Sequence, residues 1–131
     1  MAKLNNMRPL KIEPTADTPK IYFDPDKGHF EISGLSLPED ALEFYRPVIA
    51  WLEEYAENPN PETVFDFNLE YFNTASSKQL IQILLFLEKL NKKSKVKIRW
   101  HYKDIDEDMK DLGEEYSEII KVEFELVEHP S

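Results

Sequence analysis

Residues 64–102 pass through three periods in succession, and that order leaves few folds open. From Val64 to Tyr71 apolar and polar residues alternate, Phe65, Phe67, Leu69 and Tyr71 against Asp66, Asn68 and Glu70. A period of two belongs to a strand with one covered face. Asn73-Thr74-Ala75-Ser76-Ser77 follows without a linker. Short polar side chains of this kind accept from the free N–H groups of a helix start, and Ser76 to Gln79 has capping-box spacing. Leu80, Ile83, Leu84, Leu87 and Leu90 then recur at helical spacing, closed by Lys89, Lys92 and Lys93, whose charge suits the negative end of the helix dipole. Lys95 to Tyr102 alternates again, Val96, Ile98 and Trp100 against Lys95, Lys97 and Arg99. A strand, a helix and a strand make a crossover unit, normally right-handed, so the strands at Val64 and Lys95 are expected to lie parallel in one sheet.

The flanking segments extend this unit. Ile21 and Phe23, then Phe30 and Ile32, alternate on either side of Asp24-Pro25-Asp26-Lys27-Gly28, which reads as the turn of a hairpin. Pro38 to Glu57 has a helical stripe of Ala41, Tyr45, Val48, Ile49 and Leu52, widened by Phe44, Trp51 and Tyr55, with Pro38 suited to a first turn. Pro47 cannot donate to a carbonyl four residues back and predicts a kink or a split into two helices, and Asn58-Pro59-Asn60-Pro61 ends the segment. Ile105, Met109, Leu112, Tyr116 and Ile119 predict a third helix despite Gly113, and Lys121 to Glu128 a last strand, with Val122, Phe124 and Leu126 opposite Glu123 and Glu125.

Strands that alternate leave one sheet face wet. The expected fold is therefore a two-layer α/β domain, a mixed β-sheet with helices packed on one face. On the other face Asp66 and Glu70, Lys95, Lys97 and Arg99, and Glu123 and Glu125 are placed to form cross-strand ion pairs. Residues 1–20, which hold Pro9, Pro14 and Pro19, read as an arm with at most one short edge strand, Leu10 to Glu13, and residues 21–131 as a single domain.

Charge and composition narrow the function classes. The 131 residues include 16 basic and 26 acidic ones, a net −10, which disfavours phosphate backbones and anionic lipid, so neither nucleic acid nor membrane is expected as a partner. The one cationic stretch, seven basic residues from Lys89 to Lys103, is expected to be neutralised by the acidic strands beside it. Without cysteine there is no disulfide, thiolate nucleophile or Cys-based zinc site. No unbroken apolar run is longer than that from Ile83 to Leu87, which is too short to span a bilayer, and a cytoplasmic protein is expected. His29, His101 and His129 are far apart and lack ligand spacing, and neither a Gly-rich phosphate loop nor a nucleophile elbow is present, so an enzyme is not expected. Asp104, Asp106 and Asp108, with Glu115 at the twelfth place, approach a calcium loop, but Met109 occupies the position that needs glycine. A solvated acidic helix start explains the run. An alternative is a small enzyme or metal-dependent binding protein using this cluster, with Glu70 as a further ligand or acid/base group.

The strand-to-helix junction at Phe72 to Lys78 is where chemistry fits best. A helix start offers unpaired N–H groups and the positive end of the dipole. A phosphorylated hydroxyl there adds roughly −1.5 to −2 charge where a helix can bear it. Thr74 or Ser76 as a plain cap is the competing explanation. Ile81, Leu85 and Phe86 widen the apolar arc of the following helix, as a partner-facing patch or as a surface covered by the preceding helix.

From Ile21 onward these stretches resemble the SiaC family of bacterial regulatory phosphoproteins. The resemblance rests on Tyr22-Phe23-Asp24-Pro25, Phe30 to Gly34, Leu37-Pro38-Glu39, Phe44 to Val48, Trp51-Leu52, Asn68 to Thr74 with Ser76-Ser77-Lys78, and Asp106 to Met109 before Gly113-Glu114. It implies an STAS-like design akin to the anti-sigma-factor antagonists, and a partner-switching role in cyclic-di-GMP signalling and biofilm regulation. On that resemblance a protein kinase would phosphorylate one threonine, a PP2C-type phosphatase would remove the group, and the unmodified protein would bind and activate a diguanylate cyclase; no cofactor is expected. Carried onto this sequence the threonine is Thr74. Ala75 stands where many members have serine, which keeps Ser76 and Ser77 as alternative acceptors. The docking patch would comprise Asn73, Thr74, Ser77, Lys78, Gln82 and Phe86.

Overall fold

The computed structural model describes residues 7–131, so the first six residues of the expected arm lie outside it. The element order is β1 (Leu10–Ile12), β2 (Lys20–Asp24), β3 (His29–Ser36), α1 (Ala41–Tyr55), β4 (Glu62–Phe72), α2 (Thr74–Leu90), β5 (Lys95–Lys103), α3 (Glu107–Ile119) and β6 (Glu123–His129). The six strands form one sheet in sequence order. β1 to β3 pair antiparallel, and β3 to β6 pair parallel through α1, α2 and α3. Each crossover steps to the next strand in the same direction, so connections of one hand put all three helices on the same face. This is the expected mixed, two-layer α/β arrangement. Under the helices the sheet buries Phe23, Phe30, Ile32, Phe65, Phe67, Ile98 and Trp100 against Tyr45, Val48, Leu52, Leu80, Ile83, Leu84 and Leu87. No described helix is long and apolar enough to cross a membrane.

Four local expectations are corrected. Helix α1 is unbroken at Pro47 and starts after Pro38, with Asp40 as its cap accepting from Glu43 N at 3.1 Å. Pro47 and Glu43 are both exposed, so water can serve the carbonyl that loses its donor. In β4 the alternation fails near its end. Gly34 pairs with Leu69 but Leu35 with Tyr71, so Glu70 is the extra residue of a bulge. Gly34 has φ +99°, which other residues rarely adopt. The bulge turns Tyr71 out to 58% exposure and Phe72 inward, edge-on to Trp100 at 6.4 Å. Ile105 and Ile119 are likewise exposed, Ile105 preceding the α3 cap Asp106. Finally, the histidines meet. His101 Nδ1 lies 2.8 Å from His129 Nε2 with the rings stacked, and His101 Nε2 lies 2.7 Å from Asp66 Oδ1. His29 Nε2 is 2.7 Å from Glu31 Oε1.

The open sheet face carries the expected ion pairs in part. Asp66, Arg99 and Glu125 are register partners on β4, β5 and β6. Arg99 reaches Asp66 at 3.4 Å and Glu125 at 3.6 Å, while Lys97 reaches Glu125 at 3.0 Å and Glu123 at 3.7 Å. The hydrogen bond and charge of Lys97 lower the Glu125 pKa, and Glu125 raises that of Lys97. Exposed pairs like these set register more than stability.

Candidate functional site at the junction of β4 and α2

The start of α2 is fixed by two sets of bonds. Asn73 is the cap: its Oδ1 accepts from Ser76 N at 2.9 Å, and its own N–H donates to Ser36 O at 3.2 Å, tying the junction to the end of β3. The expected Ser76 to Gln79 capping box does not form. Beneath the cap runs a buried chain of hydroxyls. Ser36 Oγ donates to Ser76 Oγ at 2.9 Å, and Ser76 Oγ donates to Ser36 O at 3.0 Å. The single Ser36 hydrogen being used, the 2.6 Å contact with Tyr45 OH has the phenol as donor. Burial pushes the Tyr45 phenol up to about 12, so it stays a donor. Ser36 and Tyr45 were not singled out by the sequence, which holds no pattern marking two hydroxyls, forty residues from Ser76 and thirty-one, as one network.

This geometry sorts the three hydroxyls. Ser76 is 0% exposed with its hydroxyl engaged on both sides, which removes it as an acceptor. Ser77 is half-buried and its Oγ donates to Thr74 O at 2.8 Å. Thr74 is exposed as the first residue of α2, and its hydroxyl makes no hydrogen bond among the described residues. The N–H groups of Thr74 and Ala75 have no protein acceptor there either. Asn73 does the capping, so Thr74 is free of the structural duty that competed with a functional one.

Along the outer side of α2, Lys78 and Gln82 are exposed, and Ile81 and Leu85 are 39% and 44% exposed. Phe86 differs, being half-buried and packed on the core. Beside this face a groove of about 310 Å³ runs between α1 and α2, lined by Leu42, Ile49, Gln79 and Gln82 among others. Gln79 is 8% exposed and its Oε1 has no partner among the described residues.

The acidic run does not converge. Asp106 Oδ1 accepts from Met109 N at 3.0 Å as the cap of α3, with Glu107 and Asp108 in the first turn. Among the described residues no three carboxylates or histidines are placed to hold a metal ion, so the metal-dependent form of the alternative built on Asp104, Asp106, Asp108 or Glu70 has no ligand set there.

The family profile described as SiaC family regulatory phosphoprotein matches residues 12–129. The chain belongs to the SiaC family. A protein of Pseudomonas aeruginosa strain UCBPP-PA14 is 33% identical over 124 residues, 94% of this chain and 98% of that protein. The solved structure of SiaC of Pseudomonas aeruginosa superposes with a TM-score of 0.85 at 31% identity, covering 94% of this chain and all of that one. The SiaC in a crystal structure of the diguanylate cyclase SiaD with its activator SiaC, from the same organism, superposes with a TM-score of 0.86 at 33% identity, covering 92% and 99%. The six-stranded mixed sheet with three helices is thus the SiaC fold. SiaC members are regulatory proteins, and one of them is seen bound to a diguanylate cyclase.

Proposed function

We propose that this SiaC-family chain is a cytoplasmic, non-enzymatic switch whose unmodified form docks on a diguanylate cyclase and whose docking ends when Thr74 is phosphorylated. A protein kinase adds the group, a PP2C-type phosphatase removes it, and residues 21–131 act as one regulatory domain. The observation that carries this reading is the free, exposed Thr74 hydroxyl standing beside two serines whose hydroxyls are engaged. The partner named in the SiaD complex is carried over from that relative.

The mechanism is electrostatic. The phosphate adds roughly −1.5 to −2 charge and three acceptor oxygens, next to the N–H groups of Thr74 and Ala75, so α2 bears it without rearrangement. The docking patch changes in character. Asn73, Ser77, Lys78, Gln82 and the exposed Ile81 and Leu85 form a polar and apolar surface with one cation, and a partner closing over it must then desolvate a dianion. A penalty of about 3 kcal/mol weakens binding roughly a hundredfold.

Intact-mass and peptide analysis after incubation with ATP and the cognate kinase tests the acceptor. One phosphate on wild type, none on Thr74→Ala and one still on Ser77→Ala is the expected pattern. Phosphate persisting on Thr74→Ala moves the site to another hydroxyl, and equal cyclase binding by modified and unmodified protein refutes the switch.

A further inference from the structure

With His101 and His129 both taken as neutral imidazoles, the bonds joining them to Asp66 place the protons. A carboxylate only accepts, so His101 Nε2, 2.7 Å from Asp66 Oδ1, carries hydrogen. A neutral imidazole has one N–H, so His101 Nδ1 accepts, and the hydrogen in the 2.8 Å contact belongs to His129 Nε2. His129 Nδ1 is left with a bare lone pair and no partner among the described residues. Charged groups face this relay from the neighbouring strands: Arg99, 3.4 Å from Asp66, with Glu125 opposite it on β6, Glu31 opposite Asp66 on β3, and Lys103 opposite His129 on β5.

His129 also lines a cleft of about 500 Å³ at the carboxyl ends of β4 and β5. The volume falls in the range of small-molecule sites. The lining is rich in acceptors. Glu70 is exposed in the bulge of β4, and Asp106 contributes a second carboxylate against one lysine, Lys103. Tyr102 donates to Glu128 at 3.3 Å, and desolvation together with that carboxylate raises its pKa, so it stays a neutral wall. Ile105 is 75% exposed at the rim, an apolar side chain with nothing on it.

We propose that this cleft binds a small organic cation, a primary ammonium on an apolar body, with the ammonium donating to His129 Nδ1 and to the Glu70 carboxylate and the body lying on Tyr102 and Ile105. The proposal does not depend on phosphorylation of Thr74, since every group it uses lies outside the α2 start.

Tyramine is a suitable probe, and 4-hydroxyphenylacetate, the same ring with a carboxylate in place of the ammonium, is its control. Titrating each into the ¹⁵N-labelled full chain should shift amide signals of Glu70, Lys103, Ile105 and His129 with tyramine alone, with Kd of about 1 mM. His129→Ala and Glu70→Gln should each weaken this about tenfold, the second without touching the relay. Long-range ¹H–¹⁵N spectra of the histidine rings should show hydrogen on Nε2 of both residues and a bare His129 Nδ1 that moves on titration. Hydrogen on His129 Nδ1 in the free protein, equal shifts with the carboxylate control, or no shift at about 10 mM tyramine would each overturn the proposal.

Discussion

Replacing Ser36 by alanine tests whether the buried hydroxyl chain holds the switch platform. The change removes the acceptor of the Tyr45 phenol, which is fully buried, and the donor to Ser76 Oγ, also fully buried. A buried donor left without a partner costs about 1–3 kcal/mol, whereas an oxygen that keeps its own donated bond loses less. Ser76 Oγ still donates to the Ser36 carbonyl, so the orphaned Tyr45 hydroxyl dominates and about 2 kcal/mol is expected for Ser36→Ala. Tyr45→Phe takes away only the phenol and leaves Ser36 bonded to Ser76, for about 1 kcal/mol. In the double variant no phenol is stranded. Its cost should fall about 1 kcal/mol short of the sum of the single variants. Urea unfolding followed by circular dichroism measures all four corners of this cycle. For a chain of this size about 2 kcal/mol corresponds to a fall in Tm of roughly 7 °C. Strict additivity, or a Ser36→Ala variant as stable as wild type, would show that the hydroxyls are separately solvated and that the chain ending at Ser76 does not brace α2.

Gly113→Ala provides a test of opposite signs. Helix propensity alone favours alanine by about 1 kcal/mol, but the added methyl would overlap Trp100 Cδ1 and sit 2.7 Å from Leu126 Cδ2. Trp100 is pinned by its Nε1 donating to Met109 O, so a net loss of about 1–3 kcal/mol is expected, and a variant that melts above wild type would refute the contact. Thr74→Glu should weaken cyclase binding at least roughly tenfold in calorimetry while leaving Tm within about 2 °C, because only the partner meets the new charge. Acid should destabilise the protein through Glu31. Burial acts to raise its pKa, but bonds from Ser33 and His29 and the charge of Lys20 outweigh that, and the folded value is lowered. A lowered folded value gives stability that is present above the ordinary 4.5 and lost as pH falls through the folded pKa. Glu31→Gln should therefore lower stability near neutrality, where this contribution is fully present, and flatten the acid limb of the profile so that the two proteins converge below about pH 4.5.

The limit of sequence reading in this chain is set by the range of the interaction that decides each feature. Alternation and helical spacing are local, and they placed the β4–α2–β5 unit and the covered face of β5, because side-chain direction in a regular element follows from position alone. Tyr71 was misplaced because its direction depends on a bulge against β3, at a glycine of positive φ thirty-seven residues earlier. The cap shows the same boundary within five residues. Asn73, Thr74, Ser76 and Ser77 all qualify by chemistry, and the choice of Asn73 is made by Ser36, whose carbonyl takes the Asn73 N–H and whose hydroxyl engages Ser76. The histidines follow suit, since only the parallel register of β5 and β6, with Lys103 opposite His129, brings that side chain within reach of His101. At the junction the long-range choice has a functional consequence that local rules would have hidden. By assigning the cap to Asn73 and burying Ser76, the end of β3 leaves one unbonded hydroxyl at the start of α2, and that hydroxyl is Thr74.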